Sequence, residues 1–573
     1  MSLLAGALLS SSANAYRVEV DAPSPLRKML EQFLDLARYK DRADLNEDQF
    51  NFMLDDAQQQ VKELVATEGY FSPKTEVHVD RAAGGVTVRI AVDPGPRSTI
   101  STVNLEVSGA APTGSPEQVS EVRRTWALPV GNPFRQEDWN EAKENALRVL
   151  RNRNFAAAKI VDSRATVDPA AQSAALDVQY DSGPGFTLGP LQISGTRRYP
   201  ARIIQNINPL REGEPYDAGR LVELQRQIQA TPYFSNAMVD IARDPEQPLN
   251  SPVNVRVTEF PTQLLRGSVG YTSDTGARLQ GQYAHNNVFG SAWVFDSQAT
   301  IEQRRQTASI GLSMPPDSSA FVNNVHTSYE RTTLSGIDLR SRRFGLRRSR
   351  NTQNYDLAWT LEYYSDQLQQ LEGAIPSPDI VVQPGTHQAL VAGGAWTRRR
   401  LDNITFPRDG HILTIEAGAA IQGLVTDQTF IRLLAQGRKY IPVGQRDLVL
   451  LRAEAGAVIT KGGNAEIPAS LLFRAGGTNS IRGYSSRSIG NEANGSVYPT
   501  RLLATASAEY QHWFNQTWGG ALFYDVGTAT DRWADRTLFN GVGFGARYRS
   551  PVGTINADLG YGIQRHQIRP HFS

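Results

Sequence analysis

The chain has 573 residues, more than one ordinary domain holds, so we expect at least two folding units. Its 59 lysine and arginine residues are almost balanced by 58 aspartate and glutamate residues, which argues against a broad basic surface for nucleic acid. The chain contains no cysteine, which excludes disulfides, thiolate metal sites and cysteine nucleophiles and fits an oxidising compartment.

Residues 1–15 predict a signal peptide for export across an inner membrane. The uncharged apolar run SLLAGALLSSSANA ends in Ala13, Asn14 and Ala15, the small-x-small pattern that a signal peptidase cleaves. This run is too short to cross a bilayer, and nothing after it supplies the roughly 20 apolar residues that a spanning helix needs. The basic residues that normally precede such a run are missing, so we expect the start of the sequence to be clipped.

Residues 16–260 carry a repeated pattern. Two copies open with Gly-x-Pro and an aromatic residue, at residues 131–134 and 213–216. Each then continues through an apolar-periodic helix to a closing aromatic residue, Phe155 or Phe234, and on to two strands. A more divergent first copy lacks the opening but has the helix and the strands. We therefore predict three strand-helix-helix-strand-strand modules. They cover residues 16–96, 97–183 and 184–260.

The aromatic residues that close the three helices, Phe71, Phe155 and Phe234, are interpreted as packing of a helix end onto a sheet. The part of such modules that carries the function is expected to be a strand edge. A small sheet with helices on one side leaves a free strand edge, whose unpaired N–H and C=O groups can pair with an extended chain. The modules are therefore predicted to hold extended peptide segments.

Residues 261–573 predict a transmembrane β-barrel. Segments of about ten residues alternate between two faces; Leu357 and Trp359, for example, oppose Asp356 and Glu362. A soluble β-sandwich also alternates, but charges and glycines on one face with isolated aromatic residues on the other are expected where lipid lies outside and water inside. A closed barrel satisfies every backbone group in lipid, and roughly 20 residues for each strand with its connection predict about sixteen strands.

A loop rich in glycine, serine and asparagine contains the segment SIRGYSSRSIG. In the later strand LFYDVG, alternation places Phe523, Asp525 and Gly527 on the lumen face. A carboxylate there is costly unless it is paired, and the planar guanidinium of Arg482 can reach it with two hydrogen bonds. Gly483 would let the backbone turn closely, and Gly527 would leave room on the wall. The alternative is an exposed arginine in a polar loop.

The barrel closes where its first strand, about Leu264 to Tyr271, meets its last, QIRPHFS. The last strand is short and contains Pro570, which has no backbone N–H to donate, so we expect weak pairing. A weak seam could open sideways and admit the edge strand of another protein by β-augmentation. The residues predicted at this seam are Leu264, Leu265, Gly267, Val269, Ile568, His571 and Phe572.

Three short motifs resemble those of the outer-membrane protein-assembly superfamily. IRGY, Ile481–Tyr484, is similar to its (V/I)-R-G-(F/Y) signature; FYDVG, Phe523–Gly527, to its F-x-D-x-G strand; and residues 407–410 to its P-x-x-G hairpin. The resemblance implies an α+β and transmembrane β-barrel fold, with periplasmic POTRA (βααββ) modules ahead of a 16-stranded antiparallel barrel in the bacterial outer membrane. It also implies an internal lock that joins Ile481, Arg482, Gly483 and Tyr484 to Phe523, Asp525 and Gly527.

Three POTRA-like modules point to the TamA branch of this superfamily. That resemblance implies insertion or secretion of autotransporters and other β-barrel proteins through a lateral gate, without nucleotide hydrolysis. The implied partners are unfolded outer-membrane client proteins, the lipid bilayer and a TamB-like inner-membrane-anchored protein that docks on the first module; nucleic acid is not among them. Relatives continue to a terminal aromatic residue, so the resemblance also implies that the chain is truncated after Ser573.

An enzyme is the less favoured alternative. The eight histidines are scattered and form no H-E-x-x-H, and there is no G-x-S-x-G elbow. The glycines of GVGFGA, residues 541–546, lie in an alternating strand and open no helix, so they do not indicate a nucleotide loop. We expect no enzymatic activity and no cofactor. The stronger alternatives are a two-partner-secretion-type transporter and a passive outer-membrane pore or receptor, although a pore would not need three periplasmic modules.

Overall fold

A computed structural model describes most of the chain and divides it into two compact units. The described residues are 16–42, 44–82, 85–352, 354–370, 384–423, 425–493, 495–551 and 553–573. The predicted signal peptide therefore lies outside the described residues. The first unit runs up to Gln192 and adds Leu210–Val222 and Asp240–Asn254; the second comprises Ile193–Pro209, Glu223–Val239 and Val255–Ser573.

The first module is a three-stranded sheet covered by helices. Its elements are β1 (Arg17–Asp21), α1 (Ser24–Phe33), α2 (Asp35–Arg38), α3 (Glu47–Thr67), β2 (Lys74–Ala82) and β3 (Gly85–Asp93). The strand order β1-β3-β2 leaves β1 and β2 at the edges. A capping box starts α3, because the Asn46 side chain accepts from the Gln49 N–H and the Gln49 side chain accepts from the Asn46 N–H. The helix then buries one residue per turn: Met53, Ala57, Val61 and Val65.

The second module repeats this plan, with the sheet order β4-β6-β5. Its elements are β4 (Thr99–Ser108), α4 (Ala111–Gly114), α5 (Pro116–Arg124), α6 (Gln136–Asn152), β5 (Lys159–Asp168) and β6 (Ser173–Asp181). Phe155 is buried in its core. Phe71 is only partly buried and packs against the core of this second module, with its ring 5.9 Å from that of Phe134. The aromatic residue that closes the first repeat thus helps to join two modules.

The third module has the sheet order β7-β9-β8. Its elements are β7 (Leu188–Ser194), α7 (Arg202–Ile207), α8 (Ala218–Gln229), β8 (Phe234–Ile241) and β9 (Ser251–Glu259). Phe234 is fully buried. Within the second unit, the Tyr233 hydroxyl donates to the carbonyl of Ala292 at 2.7 Å, and the Asn206 amide donates to the carbonyl of Pro316 at 2.7 Å. Both acceptors lie in turns between barrel strands.

The remaining strands form one 16-stranded antiparallel sheet, which confirms the predicted fold class. The strands before a long loop are β10 (Gln263–Thr272), β11 (Gly276–Val288), β12 (Trp293–Glu302), β13 (Arg305–Ser313), β14 (Val322–Leu334), β15 (Ile337–Asn351), β16 (Tyr355–Gln370), β17 (Gly385–Leu401), β18 (Gly410–Ala420), β19 (Phe430–Val443) and β20 (Asp447–Ile459). The loop holds a separate pair, β21 (Asn491–Ala493) and β22 (Ser496–Tyr498). The strands after it are β23 (Leu502–Trp513), β24 (Trp518–Thr530), β25 (Phe539–Ser550), β26 (Gly553–Gly562) and β27 (Gln567–Phe572).

The two faces of the barrel wall follow the predicted alternation. On β24, Leu522 and Tyr524 are exposed on the outer face, whereas Phe523 and Asp525 are buried on the inner face. Apolar side chains on the outer face and charges inside are the arrangement that a bilayer requires. Among the described helices, none is both long enough and apolar enough to span a membrane.

Candidate functional site: the inward loop and the barrel seam

The loop between β20 and β23, residues 460–501, folds into the barrel lumen. Its apolar side chains share one buried cluster with inward-facing wall residues. The loop contributes Ile467, Leu471, Leu472, Phe473, Ile481, Tyr484, Ile489 and Tyr498, and the wall contributes Ile337, Leu339, Leu368, Val391, Phe430, Leu434, Val458 and Leu503. Because these residues are removed from water together, burial of apolar surface holds the loop inside.

Arg482, at the inner tip of this loop, lies against Asp525 on β24. Its Nε donates to Asp525 Oδ2 at 2.8 Å and its Nη2 to Asp525 Oδ1 at 3.0 Å, a two-pronged contact. The backbone N–H of Arg482 also donates to Asp525 Oδ2, at 3.0 Å. The guanidinium carbon lies 3.4 Å from the centre of the Phe523 ring. The structure thus brings together three of the residues that the sequence assigned to a lock.

The contact with Asp525 is part of a larger arginine–carboxylate cluster, which we define as Arg482, Glu509, Asp525, Arg547 and Asp558. Arg482 Nη1 also donates to Glu509 Oε2 at 2.6 Å and to Asp558 Oδ2 at 3.0 Å. Arg547, from β25, donates through Nη2 to Glu509 Oε1 at 2.7 Å and through Nη1 to Asp558. Each carboxylate beyond Asp525 is therefore shared between the two arginines.

All five side chains of this cluster are buried, with side-chain exposures between 0% and 4%. Buried charges are tolerated only when opposite charges and hydrogen bonds replace the lost water. Nearby groups add to this compensation: the Ser507 hydroxyl donates to Asp525 Oδ1 at 2.6 Å, and Arg452 Nη2 lies 3.9 Å from the same oxygen. Removal of one member would leave the others as uncompensated buried charges.

Glycines on β25 and β26 let the loop backbone approach the wall. A Cβ atom at Gly541 would lie 2.0 Å from the carbonyl oxygen of Arg482, and one at Gly560 would lie 2.6 Å from the N of Gly483. Gly483 itself has φ +90, and its own Cβ would lie 2.5 Å from the N of Gly562. Loop and wall are therefore in direct backbone contact at this point. Gly527 makes room for a different neighbour, because its Cβ would lie 2.5 Å from the carbonyl oxygen of Ala504 on β23.

Ile481 and Tyr484 flank this backbone contact and are both fully buried. Ile481 belongs to the apolar cluster of the loop. The Tyr484 hydroxyl donates to the carbonyl of Asn540 at 2.9 Å and lies 2.5 Å from the side-chain oxygen of Gln564, while its ring meets Phe539 edge to face at 5.5 Å. The whole IRGY segment is thus fixed on β24–β26.

The barrel seam, where β10 faces β27, has a different construction. These strands are the two ends of the 16-stranded sheet, and in the part of the chain that the structure describes they share no main-chain ladder. Across the seam, the Phe572 N–H donates to the hydroxyl of Ser273 at 3.2 Å, and the rings of Phe572 and Tyr271 lie 6.5 Å apart. Pro570 lies within β27, opposite Leu559 of β26.

The loop also contacts both sides of the seam. We call this contact the seam bridge; it consists of Thr478 and Gly483 from the loop, His571 from β27, and Ser273 and Asp274 after β10. Gly483 N–H donates to His571 Nε2 at 2.9 Å, and Thr478 Oγ1 lies 3.2 Å from His571 Nδ1. On the other side, Thr478 N–H donates to Asp274 Oδ2 at 3.3 Å, and its hydroxyl lies 3.4 Å from that of Ser273.

The hydrogen bonds of His571 define its tautomer. Nε2 accepts from Gly483, so the ring proton lies on Nδ1, from which it is donated to Thr478 Oγ1. The ring is therefore neutral in this arrangement, and both of its nitrogens are used by the loop.

Most of the other residues predicted at the seam lie on the outer face of the two strands. Leu265, Val269 and Ile568 are exposed to the surroundings of the barrel, and Gly267 has no atom closer than 4.0 Å to its Cβ position. Leu264 is half-buried on the opposite face of β10. The contacts across the seam are made at the end of β10 and just after it, at Tyr271 and Ser273.

Sequence reasoning missed Glu509, Arg547 and the Thr478 contact. Alternation along β23 gives a partial signal, since it places Glu509 on the same face as Ser507, and alternation on β26 places Asp558 on the polar face. Neither pattern specifies which polar residue meets Arg482, because that depends on how the loop crosses the lumen.

Protein-family comparisons match three parts of the chain. Residues 287–571 match the Omp85 superfamily domain, residues 18–94 match "POTRA domain TamA domain 1", and residues 186–259 match the POTRA family described as "Surface antigen variable number repeat". These matches cover the barrel from the end of β11 onward, including the inward loop, and the first and third modules.

Curated relatives include two proteins named outer membrane protein assembly factor BamA. The one from Nitratidesulfovibrio vulgaris is 24% identical over 410 residues, covering 66% of this chain and 50% of that protein. The one from Neisseria meningitidis serogroup B is 22% identical over 469 residues, covering 75% of this chain and 56% of that protein. The chain thus spans half or slightly more of the length of these relatives.

A solved structure has the same fold. BamA from Haemophilus ducreyi lacking POTRA domains 1–3 covers 83% of this chain and 99% of that chain, with 15% sequence identity and a TM-score of 0.57. The barrel lies in the bacterial outer membrane with its POTRA modules in the periplasm, as the sequence predicted. Residues 287–571 thus form an Omp85 superfamily domain, preceded by modules of which the first and third match POTRA domains.

Proposed function

We propose that this protein helps to insert or secrete other β-barrel proteins, autotransporters among them, by opening the seam between β10 and β27 without nucleotide hydrolysis. One observation carries the proposal. Every other neighbouring pair of strands in the sheet shares a main-chain ladder, whereas in the described part of the chain β10 and β27 share none. They are joined by the hydrogen bond from the Phe572 N–H to the Ser273 hydroxyl and by the ring contact of Phe572 with Tyr271. A strand edge without a ladder partner can pair with an incoming strand.

In the proposed step, a strand of the client replaces the contact between β10 and β27 by pairing with one of these two strands. An unfolded client presents a strand, Phe572 separates from Tyr271 and Ser273, and the client pairs with the free N–H and C=O groups of β10 or β27. The interactions that break at the seam are few and largely neutral, so the opening needs no chemical energy source beyond the new pairing. The inward loop stays attached to β24–β26 through the arginine–carboxylate cluster and keeps the lumen closed.

The match of residues 18–94 to a TamA-type POTRA domain supports the TamA branch for this chain. We propose a TamB-like inner-membrane-anchored protein as the partner of this first module. Strand β1 is an edge of its sheet and pairs only with β3 among the described strands, so it offers a free edge to an extended segment. A photocrosslinking side chain introduced at Val18 tests this: a crosslink to a large inner-membrane protein supports it, and a crosslink to clients alone contradicts it.

Reversible closure of the seam tests the main proposal. The chain contains no cysteine, so Tyr271→Cys with Phe572→Cys introduces a single possible disulfide across the seam. The protein is reconstituted in liposomes with an unfolded client barrel, and folded client is measured by its resistance to heating in detergent. We expect insertion to stop in the oxidised variant and to recover on reduction.

A matched pair on a laddered part of the wall provides the control. Leu312→Cys with Val325→Cys joins β13 to β14, which are already paired at these residues, and should leave insertion unchanged when oxidised. Equal insertion by the oxidised seam variant would refute a lateral opening. Deletion of residues 16–260 separates this function from a passive pore: it should abolish insertion, whereas a pore would retain its conductance without the modules.

A further inference from the structure

The outer face of the barrel has a groove between β16 and β19, with a volume of about 680 Å³. Its floor consists of small residues on the two middle strands, and its sides carry large ones. The floor residues are Ala392, Gly394, Ala417 and Ala419; the sides are formed by Leu357, Trp359, Trp396, Ile415 and Ile431. A Cβ at Gly394 would lie 2.9 Å from the Trp359 ring, so that ring leans over the floor.

A row of cations continues from one end of this groove. Arg398 and Arg400 follow Trp396 on the same face of β17, since Arg399 between them points inward to Asp356 at 2.7 Å. The strand register places Arg400 opposite His411 of β18, and His411 opposite Lys439 of β19. Three adjacent strands therefore carry basic side chains side by side, about 5 Å apart.

These cations have no ion-pair partner in the part of the chain that the structure describes. Among the residues that the structure describes, the side chains of Arg398, Arg400 and Lys439 form no ion pair and no hydrogen bond, and all three are exposed. The carboxylate of Asp402, in the turn after β17, is already occupied by the N–H groups of Asn403, Arg408 and Asp409. Arg400 and Lys439 both lie opposite His411, and Arg398 lies two residues before Arg400 on the same face. Three cations are thus grouped on one part of the outer face without a paired carboxylate among the described residues, so an external anion is expected to stabilise the row.

The row also lies near one end of the barrel wall, where a transmembrane barrel meets lipid headgroups. It is at the end of the barrel where β10 begins, next to the turns after β17 and β19, and this end faces the periplasm. Trp396 lies two residues further into the membrane than Arg398, and Trp359, which is opposite Gly394, lies four residues further. Tryptophan side chains are enriched at the bilayer interface. A ligand that occupies the apolar groove and contacts the cations together combines an anionic group with an apolar chain, as a phospholipid does.

We propose that this surface binds an anionic glycerophospholipid of the periplasmic leaflet. One acyl chain lies in the small-residue groove beneath Trp359, and the phosphate contacts Arg398, Arg400 and Lys439. Basic clusters at the membrane surface recognise anionic headgroups through such contacts, and arginine holds phosphate with two hydrogen bonds. The bound lipid would cover the outer wall at β16–β19, remote in the strand order from the β10–β27 seam.

Native mass spectrometry of the full chain tests the site. The protein is purified in detergent and mixed with equal amounts of dioleoyl phosphatidylglycerol and dioleoyl phosphatidylcholine. We expect the wild type to retain phosphatidylglycerol with a preference of about tenfold, and the variant Arg398→Gln/Arg400→Gln/Lys439→Gln to lose that preference. Arg342→Gln, an exposed outward arginine on β15, is the matched control and should keep it.

A second variant tests the groove separately. Ala417→Leu with Ala419→Leu fills the floor while leaving every cation in place, and it should reduce retained phosphatidylglycerol about fivefold or more, because the acyl chain is excluded. If the triple variant does not fold, the single variant Arg400→Gln replaces it in the experiment and is expected to show an intermediate preference for phosphatidylglycerol.

Four outcomes would overturn the proposal. They are equal retention of both lipids by the wild type, an unchanged preference in the triple variant, an equal loss in Arg342→Gln, and full displacement of the lipid by millimolar inorganic phosphate. The last result would identify a site for free phosphate in which the groove has no part. A stable dimer that retains no lipid would instead identify the face as an interface between copies of this chain.

Discussion

The wall of β23–β26 and the seam of β10 with β27 hold the same loop in different ways. At the wall, two arginines and three carboxylates are buried with the loop backbone in van der Waals contact. At the seam, the loop is joined by His571 and Thr478 through hydrogen bonds of 2.9 to 3.4 Å. The attachment at the wall consists of buried ion pairs. The attachment at the seam consists mostly of neutral hydrogen bonds and lies between the two end strands of the sheet.

The two attachments also differ in the energy needed to break them. Breaking one partner of a buried ion pair costs about 3–5 kcal/mol, whereas a neutral hydrogen bond contributes about 0.5–1.5 kcal/mol. The loop is therefore expected to remain on the wall under conditions in which it releases the seam. The lumen can then stay plugged while the barrel opens sideways.

The largest effect is expected from Arg482→Ala, which removes the wall attachment. Glu509, Asp525 and Asp558 would then face one another with Arg547 as their main remaining cation, so the docked loop should lose about 3–5 kcal/mol. Chymotrypsin cleavage after Tyr484, which is fully buried in the docked loop, reports release. We expect cleavage to increase by at least about a hundredfold.

Arg487→Ala is the control for this variant. It removes a positive charge from the same loop at a residue that takes no part in the arginine–carboxylate cluster. Cleavage after Tyr484 should stay close to that of the wild type. If Arg487→Ala releases the loop as strongly as Arg482→Ala, the general positive charge of the loop holds it, and the specific cluster does not.

A charge reversal distinguishes a cluster from a single ion pair at the wall attachment. A simple Arg482–Asp525 pair predicts that Arg482→Asp partly rescues Asp525→Arg. The structure predicts no rescue, because an aspartate at 482 would face Glu509 and Asp558, and an arginine at 525 would approach Arg452. Loop cleavage and heat stability of the double variant should be no better than those of Asp525→Arg; clear recovery would contradict the cluster.

The fold was accessible from sequence because each part of it leaves a local pattern. Side chains on every barrel strand must alternate between lipid and lumen. Alternating segments such as that of β24 therefore indicate how many strands the barrel has and which residues face the lumen. The repeated helix and strand pair of the modules is equally local. Asp525 could be placed in the lumen by this alternation alone. Its pairing with Arg482, 43 residues earlier, was suggested by the need of a lumen carboxylate for a cation and by the resemblance of IRGY and FYDVG to the family motifs.

The remaining cluster could not be predicted in this way. Glu509 and Asp558 lie 27 and 76 residues from Arg482 in the sequence, and meet it only because β23 to β26 are neighbours and the loop crosses them. The position of the seam contacts depends similarly on stagger between the first and last strands, which alternation does not encode. Tyr271 and Ser273 therefore make contacts that the sequence placed nearer the start of β10.

A smaller effect is expected at the glycine contact of the wall. Gly560→Ala places a methyl group 2.6 Å from the N of Gly483, so the loop must shift away, at a cost of about 1–3 kcal/mol. Chymotrypsin cleavage after Tyr484 should rise about tenfold while the barrel stays folded. Gly437→Ala on β19 is the matched control, since its Cβ meets no atom within 4 Å. Equal cleavage of both variants would mean that the backbone contact contributes nothing.

The smallest expected effect isolates the seam. His571→Phe removes both ring nitrogens that the loop uses, Nε2 toward Gly483 and Nδ1 toward Thr478, at a cost of about 1–2 kcal/mol. Because the wall cluster is untouched, cleavage after Tyr484 should stay near the wild-type level. Opening of the seam should instead increase, which is measured as slower disulfide formation in Tyr271→Cys/Phe572→Cys when His571→Phe is added.

His571→Gln distinguishes a specific bridge from simple packing. Its amide oxygen can accept from the Gly483 N–H and its amide nitrogen can donate to the Thr478 hydroxyl, so it should restore much of the disulfide rate that His571→Phe loses. If His571→Gln slows the reaction and His571→Phe does not, ring volume and not the hydrogen bonds keeps the seam closed. If His571→Phe releases the loop from the wall as well, the two attachments act as one unit, and the seam cannot open independently of the lock.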